Sequence, residues 1–581
     1  MEWQLVSNGY VLRGARYGAR MVLGEFPFFR FTLDGTVLAD LPAFSCLDRM
    51  NQKEQLSDVT LERMQTDGDC LEVVFRAASN LWISHRFIWK FQRYLVEHFH
   101  IVQGNGALAR CFFFSSGIPG EYDWGDSAGH QTNARIQVEH FFIPKVNLAN
   151  VNEYHVSQYA CTGLGGEMRI PGDIFLPERA CGLFSPSPLF FAFYQGSSVL
   201  GIGLGTQPGN YRFNAFEYSG ARKSGASFHV QYYGYTSADG EFTTPSISLT
   251  FGYSPYDTLE QHVKWLDSRG FSTAFRNPVP PSWHRAPIFC GWAEQTTQAE
   301  NAKAHASAYA TQKNYTAWIA EAEERGIPIS TIVIDDKWQK YYGTFEIDTD
   351  KWPDMKGFVE QQHRKGRHVL LWTASYHAEG LPDELCIFDN KGNKLFADVS
   401  NPDYEELIRR QITYLVSEIG IDGFKEDWIG RTVQEPGLPG YGKLHGLEMV
   451  RRFQFILSDA AHQVKEDALI ETQTPHPLFR ESSDVLRLND LWFATRNVCE
   501  SMQVRARISR ICGWDVLDCD NASCTTPEEW FRYAQFQVRL GTPALYFLHE
   551  TESFHETVPK EMWDYLASIW KKYEAENLSQ P

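Results

Sequence analysis

The chain has no Cys-x-x-Cys pair. Its 11 cysteines, an odd number among 581 residues, are dispersed, which argues against a zinc ribbon and offers no disulfide framework. It also lacks a cationic excess. A net charge of −18 leaves no basic face for a phosphate backbone, so no nucleic acid is expected as a partner. No stretch approaches the roughly 20 apolar residues of a membrane span, and no membrane partner is expected. The opening Met1-Glu2-Trp3-Gln4-Leu5-Val6 has neither a basic n-region nor a continuous apolar h-region, so no secretory signal is read and a cytoplasmic location is expected. There is no His-Glu-x-x-His segment. Neither a metal nor a cofactor is expected.

What is present describes a folded protein: 43% hydrophobic and 22% charged residues. At 581 residues more than one domain is expected. Aromatic residues reach 14%, with 17 tryptophans, whose faces either stack on sugar rings or fill core. Up to about residue 275 the grammar is that of strands. Ile247, Leu249, Phe251 and Tyr253 alternate with Ser248, Thr250 and Gly252, a period of two. Similar runs, Leu71–Phe75 and Tyr94–Ile101 among them, lie between Gly, Asn, Asp and Pro turns. A large antiparallel β-sandwich over residues 1–275 is expected.

Arg276-Asn277-Pro278-Val279-Pro280-Pro281-Ser282 reads as a boundary. Over 283–576 apolar strands alternate with amphipathic helices. Strands are predicted at Pro287–Trp292, Ser330–Asp335, His368–Thr373, Gly423–Asp427, Ala468–Thr472, Asp484–Leu488, Asp515–Leu517 and Pro543–Phe547. One long helix is predicted to run to Arg325, with others at Met355–Lys365, Tyr404–Ile419, Pro527–Leu540 and Glu556–Glu576. Eight strands with helices between them predict a (β/α)8 TIM barrel, whose active site gathers at the carboxyl ends of its strands. Asp335-Asp336, Trp372, Lys425 with Asp427, and Asp490 all fall at such ends.

Lys425 and Asp427 are two apart on a strand and point the same way, with Glu426 opposite. The lysine is expected to favour an ionised carboxylate, able to attack an anomeric carbon or simply to close a strand end. Asp490 ends the sixth strand and is the candidate acid/base; Asp520, after the seventh, is its rival, and either is alternatively a helix N-cap. Asp335 and Asp336 are adjacent acids that sugar hydroxyls, or a magnesium ion, would satisfy. Trp292 and Trp372 line a sugar subsite or fill core. His476 is a substrate contact or a satisfied core histidine.

These segments, in this order, resemble the α-galactosidase (melibiase) group, glycoside hydrolase family 36, of the clan with families 27 and 31. Cys290-Gly291-Trp292 resembles its first-strand Gly-Trp segment. Ile334-Asp335-Asp336-Lys337-Trp338-Gln339 resembles its second strand, with Lys337 in place of glycine. Val369-Leu370-Leu371-Trp372, Asp398-Val399-Ser400-Asn401-Pro402, Lys425-Glu426-Asp427 and Arg487 through Asp490 follow in register. The resemblance implies a retaining α-glycoside hydrolase, most closely an α-galactosidase, acting on a small-molecule carbohydrate without cofactor. By carry-over Asp427 is the nucleophile and Asp490 the acid/base. Asp335 and Asp336 bind the 4- and 6-hydroxyls, Lys425 and Arg487 neighbouring hydroxyls, and Trp292 and Trp372 line the subsite. The sequence departs from the group at Glu471-Thr472-Gln473-Thr474-Pro475-His476, which lacks a Cys- and Gly-rich loop. Alternatives in view are an α-glucosidase, an α-N-acetylgalactosaminidase, a raffinose-synthase-like transglycosylase, a non-catalytic carbohydrate-binding protein and a metal-dependent barrel enzyme. A homo-oligomer is compatible with the sequence.

Overall fold

A computed structural model of the chain describes residues 2–6, 9–13, 16–118, 133–137, 140–144, 148–150, 159–164, 168–169, 184–221, 225–429, 440–442, 444–488, 490, 498–522, 524, 526–551 and 555–578. The segment Trp124-Gly125-Asp126, a sandwich loop that sequence alone marks as a candidate to reach an active site, lies outside them.

The N-terminal part is built of antiparallel strands in a six-stranded and a fifteen-stranded sheet. In Phe28–Leu33 the alternation is plain: Phe29 and Phe31 are fully buried, while Arg30 points outward and pairs with Asp40 at 2.7 Å. Those inward rings pack the sheets together. Phe29 meets Trp89, and Tyr17 stacks on Phe251, each with centroids 4.5 Å apart. One 19-residue strand, Leu95–Phe113, pairs with five others and ties the larger sheet together. The expected β-sandwich is present.

The second part is an eight-stranded parallel sheet: β1 (Ile288–Cys290), β2 (Thr331–Ile334), β3 (His368–Ala374), β4 (Gly423–Asp427), β5 (Leu469–Thr472), β6 (Val485–Arg487), β7 (Leu517–Asp518) and β8 (Ala544–Leu545). β1 pairs with β8. Between β7 and β8, Cys519 N–H donates to the Thr542 carbonyl at 3.0 Å and Thr542 N–H to that of Leu517 at 2.7 Å, closing the ring. The TIM barrel expected from the sequence is formed. Around it run α1 (Trp292–Ala302), α2 (Gln312–Glu324), α3 (Met355–Arg364), α4 (Pro402–Tyr414), α5 (Leu447–Val464), α6 (Val498–Ile511), α7 (Pro527–Leu540) and α8 (Lys560–Leu578).

Two helix readings change. The single helix expected up to Arg325 is two: Lys303 adopts a left-handed φ of 53° that ends α1, and Thr311 caps α2 through the Asn314 N–H. The helix expected over Tyr404–Ile419 loosens after Tyr414 into a π-turn, Leu415–Ile419. Asp398-Val399-Ser400-Asn401-Pro402 proves to be a start signal: the Asn401 side chain accepts the Asp403 N–H and Pro402 opens α4.

The sandwich seats on the barrel through polar backbone groups. Glu448 on α5 accepts N–H groups of Gly209 (2.7 Å) and Tyr211 (3.1 Å). Gly446, at φ 62°, lies against the Phe213 backbone, where a Cβ would meet the Phe213 oxygen at 2.1 Å. Arg480 reaches Asp267 at 2.6 Å.

Candidate active site

Side chains from alternate strands of such a barrel meet in one layer. Here β2, β4, β6 and β8 supply it. Just past β2, the Asp335 carboxylate accepts Lys425 Nζ of β4 at 2.7 Å, Cys290 Sγ at 3.0 Å and the Asp336 N–H at 2.9 Å. Its own N–H donates to Tyr315 Oη at 2.8 Å. Tyr315 gets that close because residue 291 is glycine; a Cβ there would lie 2.4 Å from the hydroxyl. Lys425 and Asp335 are both 3% exposed. Lys425 is therefore committed to Asp335, contrary to the expectation that it would serve Asp427.

Asp427 is served by Arg487. Nη2 of this β6 residue lies 3.1 Å from Asp427 Oδ1, and the carboxylate also accepts Trp372 Nε1 (3.2 Å) and the Trp428 N–H (2.9 Å). Three donors, one of them cationic, complement a negative charge there. Asp427 keeps 20% of its side chain exposed while its guanidinium partner keeps 1%. The acid faces the mouth and the cation lies beneath it. Trp428, next in the chain, is held at φ 56°, a strained conformation for a bulky residue.

Arg487 has further partners. Nη2 donates to Gln473 Oε1 at 2.8 Å, Nη1 pairs with Asp520 Oδ2 at 3.1 Å, and Nε lies 3.8 Å from Glu471. Asp520, fully buried at φ 56°, accepts Tyr546 Oη at 2.6 Å and the Asn521 N–H at 2.8 Å. Burial would raise its carboxyl, but Arg487, Lys425 and Tyr546 hold it below the usual range. The N-cap of α7 is Thr526, so Asp520 does not cap that helix.

Asp490 is half-buried, its carbonyl 3.4 Å from Arg505 Nη1. Its carboxyl is pushed well above the carboxylate range, by burial first and the Asp520 charge second, with Asp427 adding to it. That is the protonated state a general acid needs. The rival acids divide by environment: the Asp520 carboxyl is shifted down and the Asp490 carboxyl up.

Asp336 is 3% exposed and accepts Tyr342 Oη at 2.7 Å. Burial pushes its carboxyl up to about 7; Tyr342 opposes this, and Asp335 and Asp427 contribute to it. Lys337, where the resemblance has glycine, pairs with Glu379 at 2.6 Å and sets Nζ 4.1 Å above the Tyr342 ring. Tyr342, Trp428 and His377 form an aromatic group beside Asp427, with Tyr342 centroids 5.2 Å from Trp428 and 4.8 Å from His377.

The structure thus brings Asp335, Asp336, Trp372, Lys425, Asp427, Arg487 and Asp490 together. Trp292 opens α1, half-buried against the barrel core. His476 sits elsewhere. It is fully buried, accepts the Leu478 N–H at 3.1 Å and packs edge-on against Tyr211 of the sandwich; burial lowers it to about 3, a neutral ring. Glu426 points outward as expected, accepting Ser375 Oγ and Gln454 Nε2, and burial lifts it to about 8. Sequence reasoning missed Tyr342, Trp428, Tyr546, Glu471 and Asp518. Burial raises the last two carboxyls, and the Glu471 charge raises Asp518 further. Among the described residues no group of three or more His, Cys, Asp or Glu side chains is arranged to hold a metal ion, and no helix is long and apolar enough to cross a membrane.

The profile for the glycosyl hydrolases family 31 TIM-barrel domain matches residues 279–442, so the sequence match falls on family 31, and family 36 enters through structural likeness. A family 31 sulfoquinovosidase from E. rectale, solved with an aza-sugar inhibitor, is 10% identical with a TM-score of 0.59, over 99% of this chain and 83% of that one. An α-galactosidase from Lactobacillus brevis is 9% identical with a TM-score of 0.51, over 98% and 84%. The family 36 α-galactosidase from Geobacillus stearothermophilus is 10% identical with a TM-score of 0.51, over 98% and 86%. At these identities the likeness is one of fold. No curated protein sequence matches the chain.

Proposed function

We propose that the protein is a retaining α-glycoside hydrolase, with α-galactosides the first substrates to test. What supports this reading is the placement of two carboxyls at one mouth: Asp427 keeps 20% of its side chain exposed above the buried Arg487, and burial and the Asp520 charge push the Asp490 carboxyl above the carboxylate range. In the first step an Asp427 oxygen attacks the anomeric carbon while the Asp490 proton passes to the departing glycosidic oxygen, so the bond to the leaving group breaks as the glycosyl-enzyme ester forms. In the second, Asp490, now a carboxylate, takes a proton from water as that water attacks the same carbon and frees Asp427. Two inversions give retention. Asp336 accepts a sugar hydroxyl, with Trp372 at the wall. The fold-neighbours include α-galactosidases and a sulfoquinovosidase, so the test is a panel of aryl α-galactoside, α-glucoside, α-N-acetylgalactosaminide and α-sulfoquinovoside, with and without acceptor sugar. At least one is turned over, and Asp427→Asn lowers that rate by about 10³-fold or more. No turnover of any, or an Asp427→Asn variant as active as the parent, contradicts the reading.

A further inference from the structure

Asp520 has no role in the two steps above, yet it is fully buried and held at both oxygens. Tyr546 Oη and the Asn521 N–H fix Oδ1 at 2.6 and 2.8 Å, and Oδ2 lies 3.1 Å from Arg487 Nη1. The other end of the same guanidinium, Nη2, is the group that meets Asp427 at 3.1 Å. Tyr546 also lies beneath Lys425, whose Nζ is 5.2 Å from its ring centroid. From Asp335 through Lys425, Asp520 and Arg487 to Asp427 the charges alternate in sign across the barrel, and Tyr546 is the neutral link between Lys425 and Asp520. Asp520 adopts a left-handed φ of 56°, a conformation of low intrinsic preference that persists only where the surroundings enforce it.

We propose that Asp520, anchored by Tyr546, is the positioning residue of this site: a fixed anion that holds the Arg487 guanidinium beneath Asp427 and opposes a second negative charge at Asp490. The hold on Arg487 rests on the geometry, and the catalytic consequence rests on the glycosidase reading. The Asp520 charge is the largest influence on Asp490 after burial. Removing it lets Asp490 lose its proton at lower pH, so the alkaline limb of kcat/KM moves down. Freeing the guanidinium lowers kcat.

Three variants separate these effects. Asp520→Asn keeps size and hydrogen bonding but loses the charge: the alkaline limb shifts down by about one pH unit and kcat falls about tenfold or more. Tyr546→Phe keeps the charge but loosens its anchor: kcat falls and the alkaline limb stays. Asp520→Glu restores the charge and returns the limb toward the wild-type position. A readout that needs no turnover accompanies them, the melting temperatures of Asp490→Asn, Asp520→Asn and the double variant from about pH 5 to about pH 10. The cycle is additive at low pH, where Asp490 is neutral, and departs from additivity as pH rises. If the wild type is active but the Asp520→Asn limb does not move and the cycle stays additive throughout, the inference is overturned and the glycosidase reading stands. If no glycoside is turned over, that reading fails, and the melting cycle still decides the inference.

Discussion

Lys425 gives its ammonium to Asp335, at 2.7 Å, and not to Asp427 two residues along its own strand. The nucleophile candidate takes its cation from β6, as Arg487. One buried ion pair joins β4 to the end of β2, and a second, open to the mouth at Asp427, joins β4 to β6.

The first pair is tested by breaking it. Both partners are 3% exposed, so Lys425→Met leaves a buried carboxylate without its cation, costing about 3–5 kcal/mol. Urea unfolding measures the loss. Adding Asp335→Asn recovers much of it, because a neutral amide needs no cation. Equal stability of the single variant and the parent contradicts this account.

Asp336 gives the pH prediction. Its carboxyl is lifted to about 7, so it is neutral below that pH and ionised above. A sugar hydroxyl donates better to the ionised form, and the affinity for a monosaccharide falls as pH drops through about 7. Tyr342 Oη, at 2.7 Å, favours the ionised form. Tyr342→Phe therefore moves the midpoint upward. Titration calorimetry across this range reads both shifts, and pH-independent affinity would count against them.

Docking of the sandwich on the barrel is tested at Gly446. A Cβ there meets the Phe213 oxygen at 2.1 Å and the residue sits at φ 62°, so Gly446→Ala costs about 2–4 kcal/mol. Gly24, with nothing within 4 Å of its Cβ position, is the control, and Gly24→Ala changes stability by less than about 0.5 kcal/mol. Thermal unfolding compares the two.

The barrel was legible because buried parallel strands announce themselves: Ile332-Val333-Ile334 is an apolar run that breaks into Asp335-Asp336, Val369-Leu370-Leu371-Trp372 is another apolar run, and each prediction overlaps an observed strand. The carboxyl-end clustering followed from the same pattern. What was not legible is partner choice. Strand parity says that Lys425 and Asp427 share a face, but nothing in that segment says that Asp335 of β2 comes closer to Lys425, since the distance is set by the curvature and register of the closed sheet. Tyr546 lay hidden in the apolar run Pro543–Phe547, where one tyrosine reads as core. Glu471 stood in the segment that departs from the melibiase group, so no motif singled it out. His476 follows the fifth strand, a place where a substrate contact is expected, yet there it packs on Tyr211 of the sandwich. Lys303 ended α1 early without a glycine or proline to mark the place.

The central claim is that Asp427 becomes covalently bonded to the sugar. The direct measurement is to incubate the Asp490→Asn variant, in which departure of the sugar is slowed, with an activated 2-deoxy-2-fluoro α-glycoside of whichever sugar the panel selects, and to map the digested protein by mass spectrometry. The account predicts one added fluoroglycosyl group per chain, carried on the peptide containing Asp427 and absent from Asp427→Asn. A label on another carboxylate, Asp520 or Asp335 included, would contradict it, as would substrate cleavage with no trapped adduct.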